Sequence, residues 1–351
     1  MDNTNKIRFA TVAKTELPTF EETSSRKGYV NWGKRNDFPN ELFSLYNQCP
    51  VLSSIVASIR DYVVGNGIEF DSFREDGTVN RKGDTIDTLV MRIVIDLVIF
   101  GGFAIEVKRN KFKKIAELNW IDARNVRISE DGERVYVSKS FSTQKSGEIF
   151  EFPVFRPDST DNTSILFEKG LNSRGVYPQP DWVGALKDVK ILAEISNYNL
   201  NNILNNFTPS AIFNFNNGSN LPEDVMDEIE TKIYEKFVGT DCAGRFMLSF
   251  NDDREHGLDV ERLQDDGLET KYSFLAEQTM KNVYSAFRIN PVLLGYNQEN
   301  IGFNTQEFEG AFQLFNKTVI QPIQKKISDV FGKKLKLDTP EFIPFSIIFN
   351  N

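Results

Sequence analysis

The chain has 351 residues, 40% of them apolar, and a formal net charge of −9. That length allows two or three domains with real cores. A single histidine, His256, excludes a metal site with two His ligands, and two cysteines, Cys49 and Cys242, exclude a disulfide framework and a Cys-only zinc site.

Residues 1–30 are polar, contain Pro18 and show little periodicity, so they read as an N-terminal arm. A helix is expected from about Asn40, an interruption at Pro50, and a second helix to Val64. Ile55, Ile59 and Tyr62, with Val56 and Val63, form its apolar stripe. Gly65 serves as its C-cap, and "GNG" at 65–67 reads as a tight turn because a dinucleotide fingerprint would need a third glycine and a following acid. The next helix spans about 84–100, with Arg92 and Asp96 one turn apart on a polar side. Those two charges, and Gly101-Gly102, rule out a membrane span for this most apolar run, and no segment reads as a signal peptide. With that cysteine usage, a reducing cytoplasm is expected.

After Gly102 the period changes to two. "FAIEVKR", "IAELNW", "VRIS", "RVYVS", "GEIFEFPVF" and "SILFEK" read as short strands, which makes an α+β domain ending near "YPQPDW". A long helix is then expected from Asp181, as N-cap, to about Asn206. Trp182, Leu186, Val189, Ala193, Leu200 and Ile203 lie on one face. Its second half is crowded with Asn, which reads as a solvated face. Uncharged polar packing against identical helices is the alternative, since Asn both donates and accepts. Residues 207–262 read β-α-β, with "TPSAIFNFNNG" and "GRFMLSF" as strands around a short acidic helix. The following helix, about Leu268 to Phe287, carries Leu268, Tyr272, Leu275, Thr279, Val283 and Phe287 as its stripe. "FRINPVLLGYNQENIGFN" follows and is too long for a helix turn and too apolar for a tether. A helix from Thr305 is expected to be interrupted or ended by Pro322, and "FIPFSIIF" reads as a closing strand.

The order of "YVNWGKRNDFPNEL", "CPVLSSIVASIRDYVVGNG", "FGGFAIEVKRN", "GEIFEFPVF", "YPQPDWVGALKDVKILAEISNYNLNNILNNFTPSAIFNFNNG", "AFRINPVLLGYN" and "NTQEFEGAFQLFNKTVIQPIQKKI" resembles tailed-bacteriophage portal proteins of the HK97-like group, over residues 29 to about 330. The resemblance implies an α+β portal-type fold assembled as a ring, typically of twelve subunits, at one capsid vertex. Double-stranded DNA enters and leaves through that ring. It implies a wing at 31–180, stem helices at 181–206 and 264–288, and a clip at 207–263 that docks the terminase large subunit and then a head–tail adaptor. It further implies a tunnel loop at 289–304, a tunnel and wing helix at 305–332, and a C-terminal strand at 333–351 with at most a minimal crown. The loop tip would be Tyr296, Asn297, Gln298, Glu299 and Asn300, on a base of Val292, Leu293 and Leu294. Docking acids would be Glu223, Asp224, Asp227 and Glu228. Stem packing would rest on Trp182, Leu186, Val189, Leu275 and Val283. The expected partners are other copies of the chain, DNA in transit, the motor, the adaptor and the major capsid protein. No membrane, cofactor or catalytic residue is expected, and the protein would reside in the virion after assembly in a host bacterial cytoplasm. Without the resemblance, 289–304 reads as a surface loop held by its own leucines.

The charge distribution bears on a DNA conduit. Residues 207–270 hold fifteen acids and five bases, while the rest of the chain is nearly neutral. No Lys/Arg patch of the kind that releases counterions from phosphate is expected. An acidic lining would let DNA slide, and outward-facing acids would attract a basic motor. The alternatives are another connector ring, disfavoured by length, and a metal-dependent enzyme built on Asp252, Asp253 and Asp259, which as adjacent loop acids are more simply solvated.

Overall fold

The computed structural model of the protein describes residues 20–345, apart from 72–73, 142–147, 174, 205–210, 217–224, 226–245, 252–267 and 296–304. Cys242, His256 and the three candidate metal acids lie outside the described residues. The chain forms two compact units. One holds the described residues up to Val189 together with those from Lys281, and the other is Lys190–Met280.

The first unit opens with a short antiparallel pair, β1 (Glu22–Ser24) on β2 (Val30–Trp32), so the expected arm is structured at its end. Helices α1 (Phe38–Gln48) and α2 (Pro50–Val64) meet at Cys49 with a 98° bend. Pro50 starts a helix here, because a first-turn residue needs no N–H partner. No single helix among the described residues is long and apolar enough to cross a membrane. After β3 (Ile68–Glu69), helix α3 (Ile86–Phe100) begins at Thr85, whose hydroxyl accepts from Thr88 N at 3.3 Å. It ends at Gly101, with φ +80°. A Cβ there would lie 2.4 Å from Gln179 O, so only glycine fits.

Strands β4 (Gly102–Arg109), β5 (Ile115–Ile121) and β9 (Thr163–Lys169) form one antiparallel sheet with β4 central. β6 (Val126–Ile128), β7 (Arg134–Val137) and β8 (Phe150–Pro153) form a second. Ala104, Val126, Val135 and Ile165 make a buried cluster drawn from both sheets, while α3 packs against β4 and β5. Asp96 departs from the expected polar side. It is buried in this packing, and its Oδ2 accepts from Trp120 Nε1 at 2.9 Å and Ala123 N at 3.2 Å. Burial, aided by neighbouring Asp122, pushes its carboxyl well above the usual range. Arg92 instead pairs with Asp84 at 3.1 Å.

A second buried polar centre joins β2 to the second sheet. Arg127 donates to Asn36 O at 2.9 Å, Arg124 O at 3.0 Å and Val126 O at 2.7 Å, and lies over the Trp32 and Phe141 rings. Burial lowers its pKa to about 10, so it remains a cation held by carbonyls and ring faces. Tyr177 stacks on Trp32 and donates to Val30 O at 2.5 Å while accepting from Ile128 N at 2.9 Å. "YPQPDW" is therefore part of the core.

The expectation of no basic patch fails at the β4–β5 hairpin. Five of its seven residues 108–114, "KRNKFKK", are Lys or Arg, and Lys111, Phe112, Lys113 and Lys114 are all exposed.

The second unit contains most of α4 (Leu186–Leu204) and α5 (Leu268–Ala286) and the strands β10 (Ala211–Asn216) and β11 (Phe246–Asn251). β10 and β11 pair in parallel, Ala211 opposite Phe246 through Asn216 opposite Asn251. Parallel neighbours require a crossover connection, as β-α-β demands. The expected helix between them lies outside the described residues.

Candidate functional site

The roots of α4 and α5 sit in the first unit. α4 does not start at Asp181 as expected. Pro180 O accepts from Val183 N at 3.0 Å, which makes a 3-10 turn over Val183–Ala185 before the α-helix begins at Leu186. Trp182 fixes this entry. Its Nε1 donates to Val98 O at 2.8 Å, and its ring stacks on Phe287 just past the end of α5. Asn282 Nδ2 donates to Asp188 Oδ1 at 2.8 Å, one turn further out. Trp182, Leu186, Val189 and Val283 are all buried, so four of the five expected stem residues belong to the protomer's own packing. Leu275 is 40% exposed, Leu200 on the expected apolar face is 55% exposed, and Phe274 is 69% exposed.

The chain leaves α5 through a turn with Arg288 at φ +54° and enters the expected loop at Asn290. Asn290 Oδ1 accepts from Val292 N at 3.0 Å and caps a 3-10 turn over Pro291–Leu294, closed by Gly295 at φ +74°. Leu293 is buried, and its carbonyl accepts from Tyr62 Oη at 3.1 Å. Burial raises the Tyr62 phenol, so it stays a donor. Its ring lies against Phe312, Phe315 and Phe345. One tyrosine on α2 thus ties the entry of the loop to the helix that follows it. The loop tip, Tyr296 to Asn300, lies outside the described residues, as do Glu223, Asp224, Asp227 and Glu228.

The helix after the loop is interrupted close to Pro322, as one of the two expectations had it, and the interruption is a π-turn. α6 (Thr305–Phe315) passes through a π-turn at Asn316–Ile320 into α7 (Gln321–Asp329), and a second π-turn, Val330–Leu335, ends at Lys336 with φ +56°. Pro322 therefore ends nothing. A wider turn just ahead of it shifts the carbonyl that its ring would strike and that its missing N–H would leave unpaired. Gln324 donates to Val63 O at 2.9 Å, and Lys326 reaches Glu168 at 3.0 Å and Lys169 O at 2.6 Å. Lys334 meets the same Glu168. A largely apolar cavity of about 180 Å³ lies where Leu97, Trp182, Phe287, Val319 and Pro322 converge. Of the expected closing strand, the described residues show β12 (Glu341–Phe342), antiparallel to β3. Residues 346–351 lie outside the described residues.

Among the described residues, no three His, Cys, Asp or Glu side chains are grouped to hold a metal ion. The described residues here supply anchored helix roots and an anchored entry to the loop. Sequence reasoning missed Tyr62 as the loop's anchor. Its place on the apolar stripe hid the role of its hydroxyl.

A sequence model for phage portal proteins matches residues 82–349. No curated protein matches the chain. Among solved structures, a chain from the neck of a native GTA particle, computed with C12 symmetry, aligns at TM-score 0.55 with 15% identity, covering 84% of this chain and 80% of that one. A chain from the virion of a native gene transfer agent particle aligns at 0.56 with 16% identity, covering 87% and 83%. An HK97 family phage portal protein from Corynebacterium diphtheriae aligns at 0.48 with 12% identity, covering 84% and 88%. At such identities, the first two likenesses speak to the fold alone.

Proposed function

Because this chain belongs to the phage portal protein family, we propose that it closes into a ring at one capsid vertex and passes double-stranded DNA during packaging and ejection. The observation that carries the ring is the exposure of apolar side chains on the two helices that leave the first unit. Leu200 on α4, and Phe274 and Leu275 on α5, are large, apolar and exposed in the single chain. Helices that long hold together best with neighbours, and covering these side chains with a second copy removes apolar surface from water. Twelve copies is the number expected from the resemblance, and the GTA neck was computed with C12 symmetry.

In this reading α4 and α5 are the stem, 207–263 is the clip, and 289–304 is the tunnel loop. The Tyr62–Leu293 hydrogen bond and the Asn290 cap fix the loop's entry. The part beyond Gly295 carries amides and a single acid, Glu299. Such a tip grips phosphate weakly, as a sliding contact requires. The acids of the clip, Glu223, Asp224, Asp227 and Glu228 among them, would attract a basic motor and later the adaptor by charge. The family's role is structural, and the reading needs no catalytic group.

Mass photometry of the purified protein, followed by electron-microscopy class averages down the symmetry axis, tests the ring. A closed oligomer with a central channel is expected. A monomer or dimer at all concentrations contradicts the reading.

A further inference from the structure

We infer that the β4–β5 hairpin and the cleft beside it form a second DNA-binding surface on the body of the protein, separate from the loop. The hairpin runs through a tight turn at Asn110–Lys114. Asn110 N donates to Lys114 O at 2.8 Å, and Phe112 N donates to Asn110 Oδ1 at 2.9 Å. A register shift between Lys108 and Arg109 bends the ribbon just before this turn and re-aims its tip. Arg109 holds the base. Its guanidinium lies over the Phe155 ring and donates to Arg156 O at 2.9 Å. The tip is therefore rigidly presented.

Beside it, Arg81, Lys82, Lys108, Arg109 and Lys111 line a cleft of about 600 Å³, with Glu117 as the one carboxylate. Arg81 pairs with Glu117 at 2.9 Å and Lys108 with Glu106 at 3.2 Å. Lys82, Lys111 and Lys114 form no ion pair among the described residues and are exposed. Asn119 also lines the cleft. It is only 4% exposed, and its amide nitrogen has no hydrogen-bond partner among the described residues. A buried donor left unpaired is costly, and it lies at the floor of this cleft.

Uncompensated lysines and an orphan donor specify an anion. The exposed ring at the tip chooses which one. Phe112 is 85% exposed between Lys111 and Lys113. A bare aromatic flanked by cations suits a polymer with phosphates on its edge and flat apolar faces within, which is nucleic acid. An acidic protein segment offers the charge and no such faces. A two-stranded ribbon also fits the groove of a duplex. The inference is independent of the channel reading, since none of these residues lies in the loop or the acidic segment.

The test is binding of a short fluorescent DNA duplex to the full-length protein, followed by anisotropy across a salt series. The comparison is with the triple substitution Lys82→Gln, Lys111→Gln, Lys114→Gln and with Phe112→Ala. None of these lysines has an ion-pair partner among the described residues, and an unchanged thermal midpoint checks the fold. The triple variant is expected to lose about tenfold in affinity at moderate salt, with its logarithmic salt slope reduced by about 2.7, three phosphate contacts' worth. Phe112→Ala is expected to weaken binding without changing the slope. Unchanged affinity and slope in the triple variant overturn the inference. So does a polyglutamate peptide that competes as well as DNA of equal charge, which would assign the surface to an acidic protein.

Discussion

The body of the protein and the helices that leave it are built by opposite rules. The body buries everything it needs, down to a carboxyl at Asp96 and a guanidinium at Arg127, each met by its own partners. The helices bury side chains toward their roots, as far as Leu192 and Ala193 on α4 and from Thr279 on α5, and expose Leu200, Phe274 and Leu275 further out. The same apolar periodicity thus serves two ends along one helix. Near the body it makes a core, and further along it leaves large apolar side chains exposed, which the proposed ring would cover with another copy.

Substitutions at the two ends of α4 should separate those roles, and the root should be the more damaging. Val189 is fully buried, so Val189→Asp places an unpaired carboxylate in the core. A loss of about 3–5 kcal/mol is expected, read by thermal or denaturant unfolding of the soluble protein. The double substitution Leu200→Asn, Phe274→Asn should leave that unfolding within about 0.5 kcal/mol, because both side chains are exposed. Mass photometry should nevertheless show the ring lost. Rings from this variant would mean that copies meet through some other face.

The body's self-sufficiency has a pH signature. Asp96 titrates higher folded than unfolded, so the native state binds the extra proton. Stability from this group is fully present below the unfolded value, about 3.9, and is lost as pH rises toward the folded one. Asp96→Asn keeps an acceptor for Trp120 and Ala123 without the charge. Its stability relative to the parent should therefore improve from acidic to neutral pH, measured by urea unfolding at several pH values. The smallest effect is expected at Tyr62→Phe, which removes one hydrogen bond to Leu293 and keeps the ring. A cost of about 1 kcal/mol is expected, with faster amide exchange confined to Leu293–Gly295.

Much of this architecture was legible in the sequence. The period-two strands from Gly102, the change to period 3.6 near Trp182 and the Asn290-Pro291 stop all carry strong local signals, and the structure places elements there. Three features were hidden because their causes are not local. Asp96 reads as a surface charge until β5 brings Trp120 over it. Pro322 reads as an interruption or an end, and the π-turn ahead of it stays hidden because periodicity carries no mark of one. The stripe on α4 reads as one seam because spacing alone does not say where the body ends. "KRNKFKK" is a local basic run that the chain's net acidity of −9 masks in its totals.

In the proposed reading, the segment entered after α5 meets DNA in a channel. The direct measurement is nuclease-protected DNA per particle in capsids carrying a deletion of Asn297–Asn300 closed with glycine. Rings should form normally, since packing comes from the flanking helices and the Tyr62 anchor, and protected DNA should fall well below the genome length. A full protected genome from the shortened loop would contradict the claim.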